Sequence, residues 1–178
     1  MAEKTSKVAT IGFDGRVEKI GDRAIVRFPA AASAKLPSRG QVAVEATLNG
    51  HAFATVIEPD GKRGHWLSID DCTFDEGAIV TVEVEPTKDW PEPQVPEDFR
   101  SALADAPDIS DVWDDITPMA RWEWVRWINA TKNPQTRERR VEVGISKLRS
   151  GKRRPCCFDL SSCTDPDLAK NGKLIDAS

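Results

Sequence analysis

The sequence predicts an α+β protein, with short β-strands in its first half and helices in its second. From residue 7 to residue 86, short runs of apolar and β-branched residues alternate with turn residues. Prolines then crowd residues 86–96. Further on, Thr117-Pro118 and Asn133-Pro134 each place a capping side chain before a proline, which is typical of the first turn of a helix.

The strands are expected to form a compact barrel or sandwich. They are predicted at residues 8–17, 24–28, 42–48, 51–57, 65–69 and 78–85. A short helix is expected from Ala30 to Leu36. Asn49-Gly50 indicates a two-residue hairpin, because both central positions of a type I′ turn need positive φ. Parallel strands need long crossover helices, and the sequence before residue 86 offers none.

The proline-rich segment predicts a stiff linker between two units. Short helices are expected after it, at residues 97–104 and 110–116, each opened by acidic residues that suit a helix N-terminus. The predicted division is a small β-domain at 1–86, the linker at 87–96, a helical unit at 97–155 and an irregular tail at 156–178. The last dozen residues are polar and are expected to be loose.

Two longer helices are predicted to share a core. Helical spacing places Trp124, Val125 and Ile128 on one side of the first helix and leaves Trp122 at the rim. In the second helix the inward positions are Val141, Ile145 and Leu148. Arg137 lies one turn before them on the same stripe. It is therefore expected to have a partner, since an unpaired buried charge is costly.

Charge is unevenly distributed, although the net charge is only -4. Residues 87–116 carry nine Asp or Glu and two Lys or Arg, whereas residues 117–155 carry eleven Lys or Arg and three Asp or Glu. The two blocks either screen each other in the fold, or the basic block faces a phosphate, an acidic partner or an anionic surface.

The basic block holds the candidate binding residues. Arginines alternate with tryptophans near its start, a pattern that stacks on bases or contacts a partner protein when it is exposed. Arg139 is expected to be solvated. The candidate anion-binding or partner-binding residues are Trp122, Arg137, Arg139, Arg140, Lys152, Arg153 and Arg154.

Residues typical of catalysis or metal binding are few. His65 and Trp66 are candidates for a cleft between the two units, where His65 meets Arg137 if the chain is an enzyme; a structural role for His65 is the alternative. Cys156, Cys157 and Cys163 lack the Cys-x-x-Cys spacing of zinc sites, so they are interpreted as structural, with redox sensing as the alternative. No cofactor, metal ligand set or catalytic residue is predicted.

The location is expected to be cytoplasmic. The first residues lead into no apolar stretch of the kind found in signal peptides, and no run of apolar residues approaches the length of a membrane span. The cysteines are not distributed as in small secreted proteins, so reduced thiols are expected.

Two segments carry a resemblance to known families. Residues 127–141 and 151–158 resemble the C-terminal region of the bacteriocin-protection, YdeI/OmpD-associated family. Residues 48–53 and 64–67 are similar to the small β-domain of unknown function that often precedes it. The resemblance implies a double-split β-barrel, like that of AbrB-like and MazE-like proteins, followed by a helical unit. It also implies a role in bacteriocin or antimicrobial-peptide tolerance and envelope stress in bacteria, and it supplies neither an enzyme activity nor an agreed ligand.

Two functions follow as hypotheses. The first is a non-enzymatic interaction protein whose helical unit binds a protein partner or a small anion. The second is a nucleic-acid-binding regulator, suggested by the basic block and the AbrB-like resemblance. An enzyme with its site between the two units is a third hypothesis. The oligomeric state is not predicted.

Overall fold

A closed barrel of antiparallel strands forms the first half of the protein. The computed structural model describes residues 9–70, 73–155 and 159–176. The strands are β1 (Ile11–Ile20), β2 (Arg23–Arg27), β3 (Val42–Leu48), β4 (His51–Pro59), β5 (His65–Ser68) and β6 (Ile79–Pro86). They follow the order β1-β2-β5-β4-β3-β6, and β6 pairs with β1 to close the barrel. This confirms the α+β class and decides between barrel and sandwich.

The hairpin of β3 and β4 forms at the predicted turn. Asn49 and Gly50 have φ of 49° and 85°, the positive values that a type I′ turn needs. The inward residues of β3, from Val42 to Leu48, are buried in the barrel core. A single helical turn, α1 (Ala30–Ser33), is shorter than expected. Arg39 donates to the carbonyl oxygens of Ser33 and Leu36, which satisfies groups that a longer helix would have used.

The contact between β4 and β5 is short. β3 and β4 pair along the whole hairpin, from Leu48 and His51 to Val42 and Ile57. β4 pairs with β5 only through Glu58 and Pro59. Residues 51–56 of β4 therefore have an outer edge that no strand of the barrel covers, and this edge lies beside the helical unit.

The helical unit packs around its own core. Its helices are α2 (Glu97–Ala104), α3 (Ser110–Asp115), α4 (Pro118–Asn129) and α5 (Pro134–Arg149), with a 3-10 turn at Pro107–Ile109. The predicted caps are confirmed: Thr117 accepts from the N–H of Ala120, and Asn133 from that of Thr136. The predicted core is also confirmed, with Trp124, Val125, Ile128, Val141, Ile145 and Leu148 all buried.

The acidic and basic blocks pair with each other. Arginines of 117–155 form ion pairs with carboxylates of 87–116: Arg121 with Glu92, Arg137 with Asp98, Arg149 with Asp108 and Arg153 with Asp115. These contacts support the screening interpretation of the charge distribution. Among the described residues, no helix is long and apolar enough to cross a membrane.

The C-terminal segment packs on the barrel, contrary to the expectation of a loose tail. Within residues 159–176, β7 (Ala169–Lys170) and β8 (Lys173–Leu174) form a small hairpin. Cys163, Leu168 and Leu174 are buried against Ile25 and Trp66 on the outside of the barrel. The polar composition conceals these anchors because they are few and irregularly spaced, so they give no periodic pattern.

Candidate functional site

A cleft lies between the barrel and the helical unit, beside the uncovered edge of β4. Its volume is about 1060 Å³, just above the range of about 300–1,000 Å³ that is usual for ligand sites. β4 and β5 form one wall, α4 and the start of α5 a second, and residues 164–167 a third. Arg23 and residues 91–94 line the cleft as well, so at least five separate stretches of the chain must fold together before the cleft exists.

Arg126 connects the two units at the cleft. Its side chain is 7% exposed. It donates through Nη2 to Oε1 of Glu58 at 2.6 Å and through Nε to Oε2 at 3.1 Å. Its guanidinium carbon lies 4.8 Å from the centre of the Trp122 ring. Trp122 and Arg126 are one helical turn apart, so α4 presents both to the cleft, and the two-pronged contact fixes α4 against β4.

Arg137 also lines the cleft, and it is held inside the helical unit. Nε donates to Oδ2 of Asp98 at 2.6 Å, and Nη2 donates to Oδ1 of Asn129 at 2.9 Å. The hydrogen bond from Arg137 lowers the pKa of Asp98. The expectation that Arg137 has a partner is confirmed. Its role in binding an anion or a protein stays a prediction.

Opposite charges balance around the cleft. The cations are Arg23, Arg126, Lys132 and Arg137, and the carboxylates are Glu58, Glu92, Asp165 and Asp167. Arg23 pairs with Asp165, and Lys132 pairs with Asp167. Because the two signs are equal in number, the summed charge of the walls favours neither a strongly anionic nor a strongly cationic ligand.

Trp66 lines the cleft, whereas His65 does not. Successive side chains of a strand point to opposite faces. His65 is buried, with Nδ1 2.6 Å from Oγ of Ser33 and Nε2 3.1 Å from the carbonyl oxygen of Gly40. Burial lowers the pKa of His65, so the ring is neutral at neutral pH. The proposed meeting of His65 with Arg137 is thus corrected, since His65 is a structural residue under α1.

The remaining basic candidates lie away from the cleft. Arg139 and Lys152 are exposed, and Arg153 and Arg154 contact Asp115 and Glu123. Arg140 was expected on the exposed surface, but it is half-buried: Nη1 donates to the carbonyl oxygen of Trp127, and the guanidinium lies 5.5 Å from the centre of that ring. The candidates therefore do not form one continuous surface with Trp122.

A smaller cavity of about 350 Å³ contains a buried carboxyl group, Glu123. Glu123 is 5% exposed, and burial raises its pKa. Nη1 of Arg154 lies 3.5 Å from Oε1, which is too long for a good hydrogen bond. Among the described residues, Oε1 of Glu123 has no hydrogen-bond partner. Burial therefore raises the pKa of Glu123 more than the nearby charges of Arg154 and Arg126 lower it, which favours the protonated form.

Sequence reasoning missed Arg126, Glu58 and the wall at 164–167. Arg126 follows Trp122 by one turn, so the helical spacing contained a signal for that pair. Glu58 pairs with Arg126 across 68 residues, and no local pattern indicates such a contact. The wall at 164–167 was hidden by the expectation of an irregular tail.

The structure gives little sign of metal or thiol chemistry in the part of the chain that it describes. No group of three His, Cys, Asp or Glu in those ranges is arranged to hold a metal ion. Burial raises the pKa of the Cys163 thiol to about 11, so this residue stays a thiol at neutral pH. Cys156 and Cys157 lie outside the described residues, and the interpretation of their role stays a prediction.

Two comparisons with known families match most of the chain. Residues 92–151 match the family described as bacteriocin-protection, YdeI or OmpD-associated. Residues 13–84 match a domain of unknown function, DUF1905. No curated protein matches the chain. The two matches coincide with the helical unit and the barrel, so the helical unit is similar to the bacteriocin-protection, YdeI or OmpD-associated family and the barrel is similar to the DUF1905 domain.

Proposed function

We propose that this chain is a non-enzymatic binding protein that contributes to tolerance of bacteriocins or antimicrobial peptides, and that the cleft holds its partner. The description of the matched family supports the first part of the proposal. The second part rests on one observation: a large cleft lies where two units meet, and the partly exposed ring of Trp122 lines it. Exposed aromatic rings in concave sites are frequent anchors for partners.

The state of the polar groups in the cleft favours binding over catalysis. Arg126 and Arg137 are occupied by carboxylates, so their geometry is fixed before any ligand arrives. Ser68 donates its hydroxyl to Asp70, and Arg23 and the N–H of Ala24 also donate to this carboxylate, which makes Asp70 a weak base. Catalysis needs a nucleophile, a base and a stabilising donor that converge on one point. In the cleft, these polar side chains are instead held in fixed positions by one another, which suits binding.

The cleft replaces the basic face of the helical unit as the proposed binding surface. Ion pairs with carboxylates occupy much of the basic block, and the net charge of the chain is -4. A nucleic-acid-binding surface needs cations that are free to contact phosphates. The structure therefore favours a protein or peptide partner over a nucleic acid.

We propose that the protein acts in the cytoplasm. Cys163 is a free, buried thiol beside Trp66 and Leu168, as suits a reducing compartment.

A survival assay tests the proposal. A bacterial strain that is sensitive to a purified bacteriocin or to a cationic antimicrobial peptide is transformed with this chain or with an empty vector. The inhibitory concentration of each peptide is then measured in separate arms. We expect expression of the chain to raise the inhibitory concentration of at least one of them. Equal inhibitory concentrations with and without the chain, at a verified level of folded protein, would overturn the proposed function.

A further inference from the structure

The hydrogen bonds of β3 show which backbone N–H and C=O groups of β4 do not bond to β3. The carbonyl oxygen of Ala43 accepts from the N–H of Thr87, and the N–H of Asn49 donates to Thr81, both on the β6 side. Backbone groups alternate in direction along a strand. The odd-numbered residues of β3 therefore bond towards β6, and its even-numbered residues bond towards β4.

The same alternation passes into β4 through the register of the hairpin. Leu48 lies opposite His51, and Val42 lies opposite Ile57. The odd-numbered residues of β4 therefore exchange hydrogen bonds with β3. Ala52, Ala54 and Val56 direct their N–H and C=O groups the other way, towards the gap between β4 and β5.

These groups have no partner within the described ranges. β5 is in register only with Glu58 and Pro59 of β4, and among residues 9–70, 73–155 and 159–176 no turn or loop bonds to the backbone of Ala52, Ala54 or Val56. Ala52 and Ala54 are exposed. Ala54 and Val56 line the cleft.

An open edge of this kind is unusual in a barrel, because barrels normally leave no edge. Charged side chains, prolines or bulges usually protect an exposed edge from pairing with other chains. Here the outward side chains are small or apolar. Ala52 and Ala54 are exposed, which leaves the backbone at these two residues accessible to a strand-like partner, and the edge ends at the buried Val56. Glu58 forms an ion pair with Arg126, so its charge does not protect the edge from pairing with another strand.

We infer that the partner binds as an extended peptide segment that adds a strand to the edge of β4 at residues 52–56; this rests on the proposed function. A segment of about five residues matches this edge, since each residue of a strand spans about 3.3 Å. Main-chain hydrogen bonds supply the affinity in this mode of recognition, and pockets for alternate side chains supply the specificity.

The chemistry of the cleft defines the segment further. The balanced charges of the walls favour a segment without net charge. Trp122, which is half-buried, offers apolar surface to its side chains. The preferred partner is therefore an uncharged segment in which small polar and apolar β-branched residues alternate, because such a segment readily adopts the extended conformation.

A peptide titration followed by NMR tests this inference on the full chain. The probe is acetyl-Thr-Val-Thr-Val-Thr-amide, and the control is the same peptide with every residue N-methylated. At about nine-tenths occupancy we expect amide hydrogen exchange at Ala52, Ala54 and Val56 to slow about tenfold. The control should leave those rates unchanged, because it keeps the side chains, loses the N–H donor of each of its five residues, and carries methyl groups that block strand pairing.

A matched pair of variants tests the same contact from the protein side. Proline at position 54 removes an N–H that the barrel does not use, so Ala54→Pro is expected to fold. It should weaken binding of the probe at least about fivefold, which corresponds to one lost hydrogen bond of about 1 kcal/mol. Ala54→Ser keeps the N–H and should bind as the wild type does.

The outcomes separate this inference from the proposed function. If the probe leaves the exchange of Ala52, Ala54 and Val56 unchanged up to about 5 mM, a concentration that would detect even millimolar affinity, strand addition is overturned. Equal protection by the N-methylated control would overturn it too. The survival assay does not use the probe. If the chain raises tolerance but the probe does not protect these amides, the proposed function stands and strand addition is wrong. If the probe protects the amides but the chain does not raise tolerance, strand addition stands and the proposed function is wrong.

Discussion

Arg126 on α4 and Glu58 on β4 form a two-pronged ion pair across 68 residues of sequence. The side chains are 7% and 19% exposed, respectively. Both residues line the cleft, where the barrel meets the helical unit. The pair therefore determines both the stability of the interface and the shape of the proposed site.

Removing one member of this pair should destabilise the protein. Arg126→Met leaves the Glu58 carboxylate half-buried without its partner, and we expect a loss of about 2–3 kcal/mol in the free energy of unfolding. Urea denaturation measures it. Arg149→Met is the matched control, because its pair with Asp108 lies at the exposed surface and should contribute no measurable change. Equal effects of the two substitutions would contradict the role of Arg126.

The ion pair of Arg137 and Asp98 predicts a pH dependence. The hydrogen bond from Arg137 lowers the folded-state pKa of Asp98, so its contribution to stability is present above the unfolded pKa and is lost as the pH falls through the folded pKa. Arg137→Met should raise the pKa of Asp98 in an NMR titration and flatten this loss. Arg139→Met, at an exposed position of the same helix, should leave the titration of Asp98 unchanged. An unchanged pKa in both variants would contradict the contact.

Glu123 predicts the opposite dependence. Burial raises its folded-state pKa above the ordinary value of 4.5, so the stability of the folded state is lost as the pH rises through the folded pKa. Glu123→Gln replaces the carboxylate by a neutral isostere. It should raise the melting temperature at pH 7 and have less effect below pH 4.5, as measured by calorimetry. A destabilised variant at pH 7 would show that the contact with Arg154 outweighs the burial.

Leu168 tests whether the C-terminal segment belongs to the fold. This side chain is fully buried against the barrel, so Leu168→Ala should cost about 2–5 kcal/mol in the free energy of unfolding. Leu160→Ala removes the same group from a position that is 36% exposed and should cost less than about 1 kcal/mol. A small effect at Leu168 would restore the expectation of a loose tail.

Local patterns predicted the elements of this fold well. The caps Thr117 and Asn133, the hairpin turn at Asn49-Gly50 and the core positions of α4 and α5 were all predicted, because each depends on residues within a few positions of one another. The family resemblance added the barrel, which periodicity alone did not separate from a sandwich.

The site was harder to predict, because it forms from distant segments. Nothing local to Arg126 indicates Glu58, and nothing local to Ala54 shows that β5 stops short of it. The basic block appeared as one surface in the sequence, whereas ion pairs with the preceding acidic helices divide it in the fold. Both differences come from tertiary pairing, which strand and helix periodicity do not encode.

The central claim is that the cleft, rather than the basic face of the helical unit, carries the function. The most direct measurement is survival under peptide challenge of a sensitive strain that expresses Ala54→Trp, in which a large side chain fills the cleft from an exposed position. Ala31→Trp, exposed on α1 and outside the cleft, is the matched control, and Arg139→Glu reverses a charge on the basic face. We predict that Ala54→Trp abolishes protection while the other two variants retain it. Full protection by Ala54→Trp together with loss in Arg139→Glu would contradict the claim.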